Sequence, residues 1–460
     1  MEVLRELESI FGSRLIHEEI PKTYWSDETY IEVEPGVVVR PRDTDEVVRL
    51  VEVAVRYRVP VVPRGSGTSL SGGAVPLEDC IVVDFSSMNK VIEVRPEDAQ
   101  ALVEPGVIYD ELNAELAKHG LFLPPNPASG DQCTLGGMVA ENSAGPRSFK
   151  YGPTRNWVLG LEVVTPALGR IWVGSRTRKH VSTYGLASFL VGSEGTLGLF
   201  TKILLRLAPL PPARVGVLIP FDDIYEAGRA VYALCMAGLD ISALELVDRA
   251  TMEAVNKVFN VGFPEEEAIV MTELECWSKD EDRRFREVEV KLGELNDAIA
   301  RARVRCKEPQ VFLNADEMWT KRALAGDALE KLYGKILWND VVVPPSRLPE
   351  LVEGIKAIQE RSGIPMAIFG HAGDGNLHPC LLVSKEEIFK PEVREVEESI
   401  VKLALELGGA ITGEHGIGIT RTKFLELEVE PSVIELSRRL KQVFDPYGIM
   451  NPGKKVPLGS

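Results

Sequence analysis

The sequence predicts an α+β protein of two domains and a C-terminal segment. Three observations carry this. The first third alternates short apolar runs with amphipathic ones. A proline cluster, APLPPAR (208–214), then marks a shift in composition. Beyond it, long amphipathic helices are interleaved with isolated strands in an antiparallel pattern. The expected boundaries are 1–210 and 211–430, with a C-terminal segment, 431–460.

The elements follow in order. VVVR (37–40) has the β-branched run of a strand, and DTDEVVRLVEVAVRYR keeps Val47, Val48, Leu50, Val51, Ala54 and Val55 on one helical face. Asp43 followed three residues later by Glu46 resembles a capping box. VPVVP (59–63), IVVDF (81–85) and ALVEPG (101–106) are further strands, and YDELNAELAKHG (109–120) is a helix stopped by Gly120. From about 125 to 200 glycine is dense, as in backbone built to approach something closely. FDDIYEAGRAVYALCMAG, EDRRFREVEVKLGELNDAIARAR and KPEVREVEESIVKLALELGG read as helices, AIVMTEL as a strand, and PSVIELSRRLKQVFDP as a last helix before NPGKK.

Composition narrows the function. The 460 residues are 45% hydrophobic, and no apolar run reaches the ~18 residues of a membrane span. MEVLRELESIFGSRL is amphipathic and charged, unlike a signal peptide, so a cytoplasmic location is expected, with room for peripheral attachment to a membrane through an acceptor. Six scattered cysteines form no CxxC pair and read as reduced core residues. A net charge of −17 without a basic patch argues against nucleic acid, and an anionic substrate would need a local positive site.

Two stretches carry chemistry. PRGSGTSLSGGAVP (63–76) lacks the GK[ST] of a Walker loop. Leu70 stands where a dinucleotide fingerprint needs its third glycine, and a strand follows where the phosphate-binding helix would begin. It is either a flexible surface loop or a row of N–H groups and hydroxyls suited to a pyrophosphate. In HAGDGNLHP (371–379), Asp374-Gly375 is a strong two-residue turn signal between the strands IPMAIF and LHPCLLV. That register would place His371 directly opposite His378, with Cβ atoms about 4.5–5.5 Å apart. Taken alone, the pair fits a metal grip as well as two half-buried polar residues. GEHGIG (413–418) adds a carboxylate and another histidine, and two His with one carboxylate is a ligand set for Zn²⁺ or non-haem Fe²⁺. Glu414 and His415 are neighbours, and in an extended chain their side chains would point apart.

PRGSGTSLSGG, VEPGV, NPASGDQCTLGGMVAENSAGPRSFKYGPTRN and GSEGTLG, in this order, resemble the flavin domain of the vanillyl-alcohol oxidase/PCMH family. HAGDGNLH, GEHGIG and NPGK resemble its D-2-hydroxyacid dehydrogenase branch, the D-lactate dehydrogenase and glycolate oxidase catalytic-subunit type. The resemblance implies a PCMH-type FAD-binding domain of two α+β lobes, an antiparallel-sheet α+β cap domain, and a C-terminal segment, 431–460, folding back onto the FAD domain. It implies FAD, held without a covalent bond, because Thr68 stands where covalent members carry histidine. Arg64, Gly65, Ser66, Gly67, Thr68, Ser69 and Ser71 would wrap the pyrophosphate. Pro127, Ser129, Thr134, Gly136, Gly137, Ser143, Gly145, Tyr151, Gly152, Glu194, Gly195, Leu197 and Asn451 would line the rest of the cofactor. Met138 and the segment YGLASF (184–189) depart from the family pattern.

The same resemblance implies His371, His378 and Glu414 as ligands of a divalent metal, Zn²⁺ first, with Mn²⁺ or Fe²⁺ as alternatives. It implies His415 as general base, Asn376 near the substrate, and Arg322, in Trp-x-x-Arg, as the carboxylate clamp. The implied reaction oxidises a D-2-hydroxy acid of the D-lactate, glycolate or D-2-hydroxyglutarate type, with hydride passing to flavin N5. The expected partners are that small anionic acid and an external electron acceptor: a quinone, a cytochrome, an electron-transfer flavoprotein or an iron–sulfur subunit. The reading allows for a homodimer. Competing readings are an alkyl-dihydroxyacetone-phosphate synthase, an electron-transfer flavoprotein subunit of a complex, and a non-haem iron oxygenase.

Overall fold

The computed structural model describes residues 2–334 and 336–457. The chain forms two compact units: 1–144, 153–210 and 414–460 make the first, and 145–152 with 211–413 the second. The crossing at Pro211 falls in the proline cluster. The chain returns at Glu414, ahead of the 431 read from the sequence, and the eight residues 145–152 go with the second unit.

In the first unit, the strands Leu15–Ile16, Val37–Val39, Ile81–Asp84 and Val61–Arg64 lie in this order, the last three mutually parallel. Helix Thr44–Tyr57 buries Val47, Leu50, Val51 and Ala54 in the core beneath them. Its cap is half of a capping box. Asp43 Oδ1 accepts the Glu46 N–H (2.9 Å), but the Glu46 carboxylate turns to Arg14 and to the Arg42 N–H (2.8 Å). A forked guanidinium outcompetes a single main-chain donor. An antiparallel sheet of Val91–Arg95, Gln100–Val103, Leu199–Arg206, Val158–Thr165 and Gly169–Gly174 completes this unit.

The second unit is built on a seven-stranded antiparallel sheet. Its order is Gln310–Phe312, Ala213–Phe221, Ala268–Cys276, Ile241–Asp248, Met366–Gly370, Asn376–Leu381, Val341–Val342. Ile241–Asp248 and Ala268–Cys276 are buried at every position. A strand covered on both faces must pair any charge it carries, and these two carry Glu245, Asp248, Glu273 and Glu275. All six cysteines are free thiols. No helix among the described residues is long and apolar enough to cross a membrane.

Candidate active site

In the second unit, Met366–Gly370 and Asn376–Leu381 form the expected hairpin with a different turn. Phe369, not His371, is opposite His378. Ala372–Asp374 make a 3-10 turn, in which the N–H groups of Asp374 and Asn376 both donate to the His371 carbonyl (3.0 and 3.1 Å). The Val343 N–H holds the wider turn through the Gly375 carbonyl (3.0 Å), and a Cβ at Gly375 (φ +76°) would collide with the Val343 carbonyl. The register therefore shifts by two residues, and an even shift preserves the face. His371 lies diagonal to His378 on that face, the rings edge-to-face with centroids 5.2 Å apart.

A buried carboxylate stands behind each imidazole. His371 Nδ1 is 2.5 Å from Glu245 Oε1, and His378 Nδ1 is 3.4 Å from Asp340 Oδ1. At His371 the hydrogen-bonded carboxylate holds the proton on Nδ1 and leaves Nε2 as a lone-pair donor, the usual arrangement of a metal-binding histidine, while at His378 the carboxylate stands at ion-pair distance. This donor chemistry fits a divalent cation. The two carboxylates differ in their second contacts. Asp340 Oδ1 also accepts from Asn376 Nδ2 (2.7 Å), while its Oδ2 accepts from the Thr412 hydroxyl (2.6 Å) and the Gly413 N–H (2.8 Å). Glu245 Oε2 accepts from Arg322 Nε (3.0 Å) and Nη2 (2.8 Å). Burial alone would raise the Glu245 carboxyl, but His371 and Arg322 hold it down to about 2.

Arg322 is no solvated helix arginine. Helix Ala315–Ala323 buries it, with its guanidinium over the Phe369 ring at 4.6 Å. Asn376 is buried, and its amide nitrogen donates to Asp340 and to the Val341 carbonyl (2.9 Å). Glu245 and Asp340 escaped the sequence reading. The available signal was a glutamate inside the apolar run ISALELVD and an aspartate opening DVVV.

Glu414 and His415 begin the stretch that returns to the first unit. They do not point apart: His415 Nε2 is 3.6 Å from Glu414 Oε1. The loop is bent rather than extended, with Gly416 at φ +80° and Gly418 at φ +48°.

The first unit also gathers the glycine motifs. The N–H groups of Ser66 to Leu70 donate to no group among the described residues. Such a row of amides is a nest for an anion. The Arg64 guanidinium lies against this row, where a Cβ on Gly67 would collide with it, and its two ends donate to the Ser26 and Thr23 carbonyls (2.7 and 2.6 Å). The Ser66 hydroxyl donates to the Gln132 carbonyl (2.6 Å), and Ser69 Oγ accepts from the N–H groups of Ser71 and Gly73 (3.3 and 3.2 Å). A Cβ at Gly65 would collide with Thr134 Oγ1, which caps the helix Leu135–Glu141 through the Gly137 N–H (3.2 Å). Gly136 donates its N–H to the Pro105 carbonyl of VEPGV (2.7 Å), while Pro127 and Ser129 turn the preceding loop by accepting from Gly130 and Cys133. Ser143 follows that helix, and its carbonyl accepts from the Thr154 hydroxyl (2.7 Å).

Glu194, at φ +52°, accepts from the Ile417 and Gly418 N–H groups (3.0 and 2.7 Å) and pairs with Lys455 (3.0 Å). Gly195 adjoins Pro63 so closely that a Cβ would strike its ring, and Leu197 is buried. From the tail, Asn451 Nδ2 donates to the carbonyls of Gly73 and Glu194 (3.1 and 2.7 Å). Lys454, buried, donates to the carbonyls of Gly73 (3.0 Å) and Val75 (2.5 Å), and burial lowers its ammonium to about 8. Glu141 Oε2 is buried and has no hydrogen-bond partner among the described residues; burial, then the nearby Glu194 charge, push this carboxyl well up. Open amides, a side-chain-free path and an unpartnered buried carboxyl fit a pyrophosphate-bearing cofactor. Gly145, Tyr151 and Gly152 fall in the second unit, where the Tyr151 hydroxyl donates to Glu275 (2.8 Å).

Family models match both parts of the chain. A family model described as "FAD binding domain" matches residues 35–175, and one described as "FAD linked oxidases, C-terminal domain" matches 210–455. The chain is 36% identical over 424 residues to "Glycolate oxidase subunit GlcD" of Bacillus subtilis (strain 168), covering 91% of this chain and 88% of that protein. It is 37% identical over 421 residues to "D-lactate dehydrogenase" of Archaeoglobus fulgidus, covering 91% of each. Among solved structures, p-cresol methylhydroxylase with substrate bound superposes with a TM-score of 0.78 at 16% identity, over 99% of this chain and 96% of that one. At that identity the likeness concerns the fold alone: a PCMH-type α+β fold, as expected from the sequence.

Proposed function

Because this chain belongs to the FAD-linked oxidases, we propose that it oxidises a D-2-hydroxy acid, of the D-lactate, glycolate or D-2-hydroxyglutarate type, to the 2-oxo acid with the help of a divalent cation. One observation carries the reading: two imidazoles with centroids 5.2 Å apart, His371 held from behind by a buried carboxylate that also grips a buried arginine. A redox site for an anionic alcohol needs a positive anchor for the carboxylate and an acidified hydroxyl.

Arg322 is the anchor. Nε and one hydrogen of Nη2 are engaged by Glu245, which leaves the outer N–H groups of the fork for a carboxylate. His371 and His378 would hold the cation, with Glu414 as third ligand and Zn²⁺ the first choice, before Mn²⁺ or Fe²⁺. FAD would lie against the amides of Ser66 to Leu70, without a covalent bond. When bound, FAD supplies the hydride acceptor, and the cation supplies the charge that makes the substrate hydroxyl acidic. His415 takes the hydroxyl proton as the carbon gives up its hydride. Asn376, its amide N–H groups engaged by Asp340 and Val341, offers its carboxamide oxygen to the bound acid. Electrons leave to an acceptor outside the chain, since the six scattered cysteines form no cluster motif.

The test is anaerobic stopped-flow reduction of the bound flavin by D- and L-2-hydroxy acids, with and without chelator. Bleaching by the D series only, lost on demetallation, is expected. Achiral glycolate is run beside them and counts with the D series; bleaching by neither the D series nor glycolate, or at an undiminished rate after complete demetallation, sinks the proposal.

A further inference from the structure

We propose that Glu245 is a positioning residue that ties the metal ligand His371 and the carboxylate clamp Arg322 into one unit. The inference rests on the roles just proposed for those two side chains. Glu245 sits in Ile241–Asp248, between Ala268–Cys276 and Met366–Gly370. Leu246 faces Gly370 across the antiparallel pair, so one further step along the register brings Glu245 across from His371. Its carboxylate is fully buried, where a charge must be paired. Each oxygen has its own partner: Oε1 the His371 ring at 2.5 Å, and Oε2 the Arg322 fork at 2.8 and 3.0 Å. Phe369, two residues before His371, lies under the same guanidinium at 4.6 Å. Arg322 is thus fixed on an edge and a face, and each fixing group adjoins or precedes a metal-binding ring. Asp340, behind His378, has its second oxygen on the main chain of Gly413 and the hydroxyl of Thr412, so it serves that ring without touching the clamp.

A carboxylate can accept from both partners at once; an amide of the same shape cannot. In Glu245→Gln the single carbonyl oxygen goes to the charged guanidinium. The NH₂ group is then turned toward His371 Nδ1, which must become an acceptor, and the proton moves to Nε2. That removes the lone pair a cation needs.

The experiment uses the FAD-loaded protein and Zn²⁺ as the probe. Titration calorimetry should show a ten- to hundred-fold weaker Zn²⁺ affinity in Glu245→Gln, a loss typical of a residue that orients a metal-binding imidazole. Nitrogen NMR should show His371 moving from the Nδ1–H to the Nε2–H tautomer. Wild-type affinity together with an unchanged tautomer overturns the assignment. If the wild-type protein takes up no Zn²⁺, the metal reading fails, while the tautomer comparison still judges Glu245. Should Glu245→Gln not fold, Arg322→Met gives the answer. Freed of its second partner, Glu245 loses its fixed rotamer, and Zn²⁺ affinity should fall at least threefold although Arg322 is no ligand. An unchanged affinity overturns the coupling.

Discussion

The glycine cradle of the first unit and the imidazole–carboxylate cluster of the second solve opposite problems. The cradle is made of main chain. Its amides from Ser66 to Leu70 are the offered groups, while Lys454 donates to carbonyls of the loop itself and the Arg64 guanidinium lies against Gly67 with its ends on the Ser26 and Thr23 carbonyls. The cluster is made of side chains. All five side chains are buried: Glu245 is joined to His371 and Arg322 by contacts of 2.5 to 3.0 Å, His378 lies 3.4 Å from Asp340, and the two imidazoles meet with centroids 5.2 Å apart. The difference teaches where each site is fragile. A backbone cradle fails when a Cβ is added and tolerates the loss of a hydroxyl. A side-chain cluster fails when one member is truncated, because its partner is left charged and buried.

Four changes would break or sharpen this contrast. The largest effect belongs to His415→Ala, which removes the proposed base: substrate-driven flavin reduction should slow by about 10²–10⁴-fold with FAD content unchanged. Loss of flavin along with the rate would mean that this histidine belongs to the cradle instead. Next comes Gly418→Ala. Its φ of +48° and the collision of a Cβ with the Ser71 carbonyl should empty the protein of FAD or lower its melting temperature sharply. Arg322→Lys keeps the charge and loses the fork, so KM for D-lactate should rise about tenfold or more while FAD affinity, read by flavin fluorescence, stays put. At the small end, Thr68→Ala should change FAD affinity less than about threefold, because the position is read as contributing its N–H. A large loss would show that the cradle works through hydroxyls after all.

A pH experiment sharpens the tail's part. The buried Lys454 ammonium is lowered to about 8, below its ordinary 10.5. Between those values the unfolded chain binds the extra proton, so stability rises with pH, at most by ~1.4 kcal/mol per unit. The stability difference between the wild-type protein and Lys454→Met should therefore grow in favour of the wild type from pH 8 to 10. A flat difference would mean that the amine is not desolvated as its contacts indicate.

Legibility followed the range of the interactions. Helix Thr44–Tyr57, the strands Ile81–Asp84 and Ala268–Cys276, and the final helix Pro431–Phe444 appear where apolar period and capping residues predict them. Boundaries and caps depart from the expected ones where one distant group decides the matter. Glu46 abandoned its reciprocal cap for Arg14, 32 residues away in sequence. The Asp374-Gly375 turn widened because Val343, just past the strand Val341–Val342, holds Gly375. His371 and His378 nevertheless met, since their expected pairing and the observed diagonal differ by an even number of residues.

What the sequence determined by itself were the residue types and their local periods: the α+β class, the side-chain-free path at 63–76, and two histidines that must share a face in either register. Those are consequences of chain geometry over a few residues. What only the tertiary structure decided is the company these residues keep. Glu245 behind His371, Asp340 behind His378 and Lys454 beneath the glycine loop are separated by 126, 38 and some 380 positions, and no local rule reaches that far. A buried charge announces in the sequence that it needs a partner; which partner it finds depends on how the sheet is ordered and which strands become neighbours.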